Sequence, residues 1–235
     1  MRFILLLVTF LSLCQCEDTQ KTSQKIDKKQ TSKQTKTESL EANNSSKIEE
    51  KFSKLNDKNA MDFFLEYEKN NKENTVRIVT DFGNIDILLF GKTKFHRANF
   101  IFLTKQKYFN NTQFYRVIKN FIIQGGNSDD KATAIKRRNI GKYLLPTDTK
   151  RGYTHDRGVI SMPSSDIDNP HKLASPYEFF IVQQKGGAKF LDGDYTIFGK
   201  IIKGMSVVDK IASVATDDGD WPHKNVMIRR VEILK

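Results

Sequence analysis

The sequence predicts a mainly β fold: a closed antiparallel barrel with capping helices, preceded by a helical extension and a polar tether. Three observations carry that expectation. From Thr75 onward the chain breaks into short segments in which apolar residues return at every second position, the spacing of one strand face. Two stretches of helical period lie among them, near opposite ends of the series. Residues 17–46, in contrast, hold too few apolar side chains to join any core.

At the start, Met1–Arg2 and the apolar run Phe3 to Leu13 have the charge and length of an export signal, and the run is too short for an ordinary membrane span. Cys14 and Cys16, the two cysteines of the chain, close this run where a bacterial lipoprotein carries its lipidated residue. The alternative is a pair of incidental cysteines in a cleaved signal. Residues 1–16 are therefore read as the signal, 17–46 as a disordered linker, 47–73 as a helical extension and 74–235 as the folded domain. The expected location is the periplasm or cell envelope, with a lipid anchor as the only membrane contact.

Within the extension, Ile48, Phe52 and Leu55 fall at helical spacing, and Asp57 offers a cap before Met61, Phe64 and Leu65, which predicts two short helices. Val76, Ile78 and Thr80, the turn Asp81-Phe82-Gly83-Asn84, and Ile85, Ile87 and Leu89 form a hairpin. The segment Lys94 to Tyr108 reads as a helix that stops at Asn110-Asn111. Further strands are expected at Phe114–Ile118, Phe121–Gln124, Gly158–Met162, Glu178–Val182, Ile197–Ile201 and Val226–Leu234, with a second helix at Met205–Ser213. No internal repeat at a fixed period appears.

The formal charge is +11, from 39 basic and 28 acidic side chains, and most of it lies in the folded part. No nucleic-acid motif accompanies it, so a solvated basic face is the expectation. His96, His155, His171 and His223 show neither a paired ligand spacing nor a cysteine partner, so neither a metal nor any other cofactor is expected. No nucleophile-elbow pattern supports hydrolase chemistry.

The stretch FYRVIKNFIIQGG, Phe114 to Gly126, resembles the signature of cyclophilin-type peptidyl-prolyl isomerases. TDFGNIDILLF, HRANFIFL, GVISM, EFFIV and FLDGDYTIFGKIIKGMSVVDKI follow the family's motifs in the family's order, so the resemblance covers about Thr75 to Lys235. It implies an eight-stranded barrel capped by two helices, a monomer, and proline-containing polypeptides as substrates. By the same resemblance Arg116, Phe121 and Gln124 are the catalytic set. Ile122, Ser164, Phe180, Phe190, Leu191 and Tyr195 complete the substrate site, with Phe190 and Tyr195 at the edge of the proline pocket. Pro163-Ser164 stands where members often carry Ala-Asn, and Glu178 where Gln is common. The segment Ser128 to Asp156 is longer than in compact members.

Chemistry explains such a residue set. Rotation about a peptide C–N bond costs about 18–20 kcal/mol because resonance is given up, and for an Xaa-Pro bond the planar end states differ by only about 1 kcal/mol. At the twisted geometry the prolyl nitrogen recovers its lone pair and accepts a hydrogen bond. A donor aimed there stabilises the transition state alone. Arginine stays protonated and holds its donors in a rigid fork, which makes Arg116 the candidate donor. Gln124 shares a strand face with Ile122 and would hold the substrate backbone or Arg116. The expected function is isomerisation that assists folding of extracytoplasmic proteins. The alternative is a module of the same fold that grips proline segments without turnover.

Overall fold

The structure, a computed structural model, describes residues 52–164 and 169–235. The apolar leader, Cys14, Cys16, the linker 17–46 and Ile48 lie outside these residues.

The expected hairpin forms as β2 (Thr75–Thr80) and β3 (Gly83–Leu89), which turn over two residues, Asp81 and Phe82. Val76, Ile78, Ile85 and Ile87 are fully buried on its inner face. Helix α2 (Lys94–Lys105) follows, then β4 (Thr112–Ile118) and β5 (Ile122–Asn127). Beyond the long insertion come β7 (Val159–Met162), β8 (Phe179–Val182), β9 (Thr196–Lys203), α4 (Met205–Ile211) and β10 (Val226–Ile233). The barrel closes in the order β10-β2-β3-β9-β7-β8-β5-β4, eight strands paired antiparallel throughout. Closure removes sheet edges that would otherwise offer unpaired backbone groups.

Rings fill the interior. Phe100 from α2 meets Phe109 at 4.7 Å, Phe198 at 5.6 Å and Phe179 at 5.7 Å between centroids. The face of α2 turned away from the barrel is covered in its turn by α1 (Ala60–Asn70), which sets Phe63 and Phe64 edge-on to Phe102. This second cover explains why polar residues of α2 are also buried. Arg97 pairs with Glu68 at 2.6 Å, and Asn99 bridges the Tyr143 hydroxyl and the Pro176 carbonyl.

Two expectations need correction. The segment around Leu55 is not a helix but a two-residue strand, β1 (Leu55–Asn56), parallel to β6 (Gly141–Lys142). Its partner Gly141 sits at φ +140° with its α-carbon against the Leu55 backbone, a place that admits no β-carbon. Asp57 caps no helix; its carboxylate accepts the Leu144 N–H at 3.1 Å, tying the extension to the insertion. The insertion Ser128 to Asp156 contains a further helix, α3 (Lys131–Ile140), capped by Asp130.

Candidate active site

The signature segment is a hairpin with a register shift on each strand. Phe114 pairs with Gly125 and Arg116 with Gln124, so Tyr115 is an extra residue on β4. Strict alternation would place Arg116 on the same face as Phe114, which is fully buried in the core. The bulge reverses that. Phe114 and Val117 point inward while Arg116 and Ile118 point outward, which spares a guanidinium the cost of the barrel interior. On β5 the extra residue is Gly126, at φ +98°, where a β-carbon would run into the Tyr177 carbonyl oxygen.

Registers across the wall then align a row. Arg116 on β4 opposes Gln124 on β5, Gln124 opposes Phe180 on β8, Phe180 opposes Ser161 on β7, and Ser161 opposes Ile197 on β9. Opposed residues share a face, so the row runs along the outside of the barrel. There a second apolar cluster gathers Ile122, Val159, Phe180, Val182, Ala188 and Ile197, flanked by partly buried Phe121, Leu191 and Tyr195. Phe190 is 68% exposed and stacks on Phe121 at 5.5 Å. Tyr195 meets the Phe180 ring edge-on at 5.7 Å. The structure thus assembles Phe121, Ile122, Phe180, Phe190, Leu191 and Tyr195 into one apolar patch beside Arg116 and Gln124.

The polar members have partners other than the expected one. Gln124 donates to the Tyr115 hydroxyl, not to Arg116, because the bulge brings that phenol alongside β5. Burial pushes the Tyr115 phenol above its ordinary pKa, so it stays protonated. Arg116 places Nε 3.3 Å from Asp220 Oδ2, with both side chains substantially exposed. Asp220 is held beside β4 by its own carbonyl, which accepts the Val117 N–H at 2.9 Å. Ser164 bridges Ala174 past the end of β7, and its hydroxyl oxygen is buried without a hydrogen-bond partner among the described residues. No contact joins it to the patch among those residues.

A buried group that motif reading passed over backs the patch. His155 stacks on Phe180 with 6.0 Å between ring centroids and 12° between planes. Its Nδ1 donates to Asp192 Oδ1 at 2.7 Å, and its Nε2 lies 3.2 Å from Ser161 Oγ. Asp192 also accepts the His155 backbone N–H at 2.8 Å. Burial holds the imidazole below its ordinary pKa, although the Asp192 carboxylate pulls the other way. This Ser-His-Asp arrangement is not an acyl-transfer site. Ser161 is fully buried, and its hydroxyl donates to the Thr196 carbonyl at 2.8 Å, so the oxygen has neither access nor a free proton. The three residues are as many as 37 positions apart, so local spacing gives no signal for their meeting. Among the described residues no group of three or more His, Cys, Asp or Glu side chains is placed to hold a metal ion.

A closed eight-stranded antiparallel barrel with an arginine beside an apolar patch on its outer wall is the class of fold and site that the chain presents. Comparison with known proteins makes the class specific. The family model described as "Cyclophilin type peptidyl-prolyl cis-trans isomerase/CLD" matches residues 75–233. A peptidyl-prolyl cis-trans isomerase of Acinetobacter baylyi is 37% identical over 68% of this chain and 82% of its own length. Peptidyl-prolyl cis-trans isomerase-like 2 of Rhizopus delemar is 36% identical over 72% of this chain, which spans only 30% of that longer protein. The crystal structure of a Cryptosporidium parvum cyclophilin type peptidyl-prolyl cis-trans isomerase superposes with a TM-score of 0.58 at 28% identity, covering 69% of this chain and 98% of that one. The same Cryptosporidium protein was also solved in the presence of the dipeptide Ala-Pro. The chain belongs to the cyclophilin-type peptidyl-prolyl cis-trans isomerase family.

Proposed function

We propose that this chain accelerates cis-trans rotation of Xaa-Pro bonds in polypeptide substrates. The carrying observation is the row Arg116–Gln124–Phe180 on the outer wall, which sets a permanent cation and an amide beside an apolar patch. The ring rests against Ile122, Phe180 and Leu191 with Phe121 and Phe190 beside it, and this contact holds the proline while the preceding carbonyl turns. Arg116 donates to the prolyl nitrogen as its lone pair returns, and Gln124 holds the substrate backbone. The apolar surroundings lower the local dielectric and strengthen both contacts at the moment of rotation. No bond is made or broken and no proton moves.

The test is a protease-coupled or refolding assay on an Xaa-Pro peptide, with Arg116→Ala beside the wild type. Removing one transition-state donor lowers turnover by about 10²–10³. Because Arg116 is partly exposed and packs little, thermal stability stays near wild type. Near-full turnover in the folded variant would remove Arg116 from the mechanism. A second reading, grip without turnover, is favoured by one observation: Arg116 and Gln124 already have partners in Asp220 and Tyr115. Saturable binding of prolyl peptides without acceleration would select it.

We further propose that the protein is exported, acts as a monomer on proline-containing polypeptides outside the cytoplasm, and is anchored through lipid on Cys14 or Cys16. The apolar leader and the cysteines that close it support this reading. A labelled fatty acid fed to producing cells marks the wild type, and Cys14→Ser or Cys16→Ser identifies the anchored residue by loss of label. An unlabelled protein in the soluble fraction would overturn the anchor.

A further inference from the structure

A cavity of about 650 Å³ opens between the N-terminal extension, α3, β6 and the segment that leads into β8. It shares no lining residue with the patch described above. Tyr143, Leu144, Pro176 and Tyr177 contribute its apolar walls, and Ala134 stands at its α3 side. Its charged lining is Lys54, Arg137, Arg138 and Lys142 against a single carboxylate, Asp57. Two of these groups are committed. Arg137 lies over the Tyr177 ring at 4.9 Å and donates to the Tyr108 hydroxyl and Glu178, while Asp57 accepts the Leu144 N–H. Lys54, Arg138 and Lys142, one from each of three converging segments, are exposed and have no ion pair among the described residues.

We propose that this cavity is a second binding site, and that its ligand is an acidic stretch of a partner polypeptide, with carboxylates flanking an apolar side chain. Three uncommitted cations contributed to one cavity by three separate segments suit charges that are themselves spaced along a chain. The apolar walls and the volume, within the range of about 300–1,000 Å³ usual for ligand sites, suit the side chain between them. A compact anion such as phosphate fits less well. It needs donors converging on one point, whereas these cations come from three separate segments, and the two α3 cations, Arg137 and Arg138, stand in its last turn, at the negative end of the helix dipole. The inference does not depend on isomerase turnover, since the recognition is of carboxylates and not of proline.

The test measures fluorescence anisotropy of the full chain with a labelled, proline-free peptide of Glu, Asp, Leu and Gly. The expected result is saturable binding that weakens by about tenfold or more in the Arg138→Glu/Lys142→Glu variant, with isomerase activity on a short uncharged Ala-Pro peptide unchanged. Ala134→Trp, which fills the cavity from an exposed helical position without altering charge, removes binding as well. Binding that survives Ala134→Trp would show a diffuse surface attraction and overturn the site. Displacement by inorganic phosphate at an equal concentration of charge would show a small-anion site and overturn the ligand class. Tighter binding in a Glu49→Gln/Glu50→Gln variant would show that the chain's own preceding segment is the occupant, and would overturn the assignment to a partner.

Discussion

Phe179 and Phe180 are neighbours on β8, the same residue type, and both almost wholly buried, yet they belong to different regions of the molecule. Phe179 points into the barrel, where Phe100, Phe109 and Phe114 meet its ring edge-on at 5.7–5.9 Å. Phe180 points out, where Tyr195 meets its edge, the His155 imidazole lies parallel behind it, and Gln124 stands opposite across the sheet. Burial alone does not separate core from site. The neighbours do: rings against rings on one side, a ring against polar and titratable groups on the other.

The largest expected effect breaks this pair apart. Phe179→Ala empties a closed space and costs about 3–5 kcal/mol of stability, read as a drop in the denaturant midpoint. Phe180→Ala costs less stability, because its cluster is bordered by partly exposed Phe121, Leu191 and Tyr195 that are free to resettle, but it costs more activity. Equal losses of stability with equal activity in the two folded variants would erase the distinction.

The same comparison explains what was legible in the sequence. Strands with one buried face announce themselves through alternation, and β2, β3 and β10 match their expected bounds within a residue or two. Period two fails where a bulge intervenes. Nothing local in FYRV says that Tyr115 is the extra residue, although a charge at a position that alternation sends inward is a hint that alternation breaks there. Helix α3 was missed because only Thr133 and Ile140 of its ten residues are buried, so it carries no apolar stripe. Phe52 and Leu55 imitate a helical interval, but Asn56 and Asn59 close a turn between them and α1, and Gly141 lets Leu55 pair as a strand instead. The patch residues were found through motif resemblance. Asp220 and His155 were not, because their contacts exist only after distant segments meet, and Tyr115 was not, because only the bulge turns its phenol toward Gln124.

Two buried histidines sharpen the contrast through pH. His96 on α2 is buried with no hydrogen-bond partner for either ring nitrogen among the described residues, and burial pushes its pKa down to about 4. In the unfolded chain it titrates near 6.5, so between these values the unfolded state binds a proton that the folded state refuses. Stability from this residue is complete above about pH 6.5 and falls as the pH drops toward 4, by about 3 kcal/mol in all. His155 is also lowered, but the Asp192 carboxylate offsets part of its burial, so its share is smaller. Thermal midpoints measured across this range flatten in His96→Leu and keep most of their slope in His155→Gln. The reverse ranking would mean that His96 takes up its proton while folded.

The smallest effect concerns the pair that restrains Arg116. Its Nε lies 3.3 Å from Asp220 Oδ2, and with side chains 42% and 36% exposed the contact is worth about 0.2–1 kcal/mol. If Arg116 donates to the prolyl nitrogen as proposed, a bound substrate draws the guanidinium away from Asp220, partly against that attraction. Asp220→Asn removes the charge and leaves the backbone in place, since the Val117 N–H bonds to the Asp220 carbonyl and asparagine tolerates the left-handed φ of +65° found there. The expected outcome is a rise in kcat/KM of no more than about fivefold, the rate equivalent of the pair's upper value. Added salt, which screens an exposed pair, raises wild-type activity toward the variant's and leaves the variant flat. A loss of activity in Asp220→Asn would mean that the carboxylate aims the arginine instead of competing for it, and Asp220 would then belong with the patch as a positioning residue.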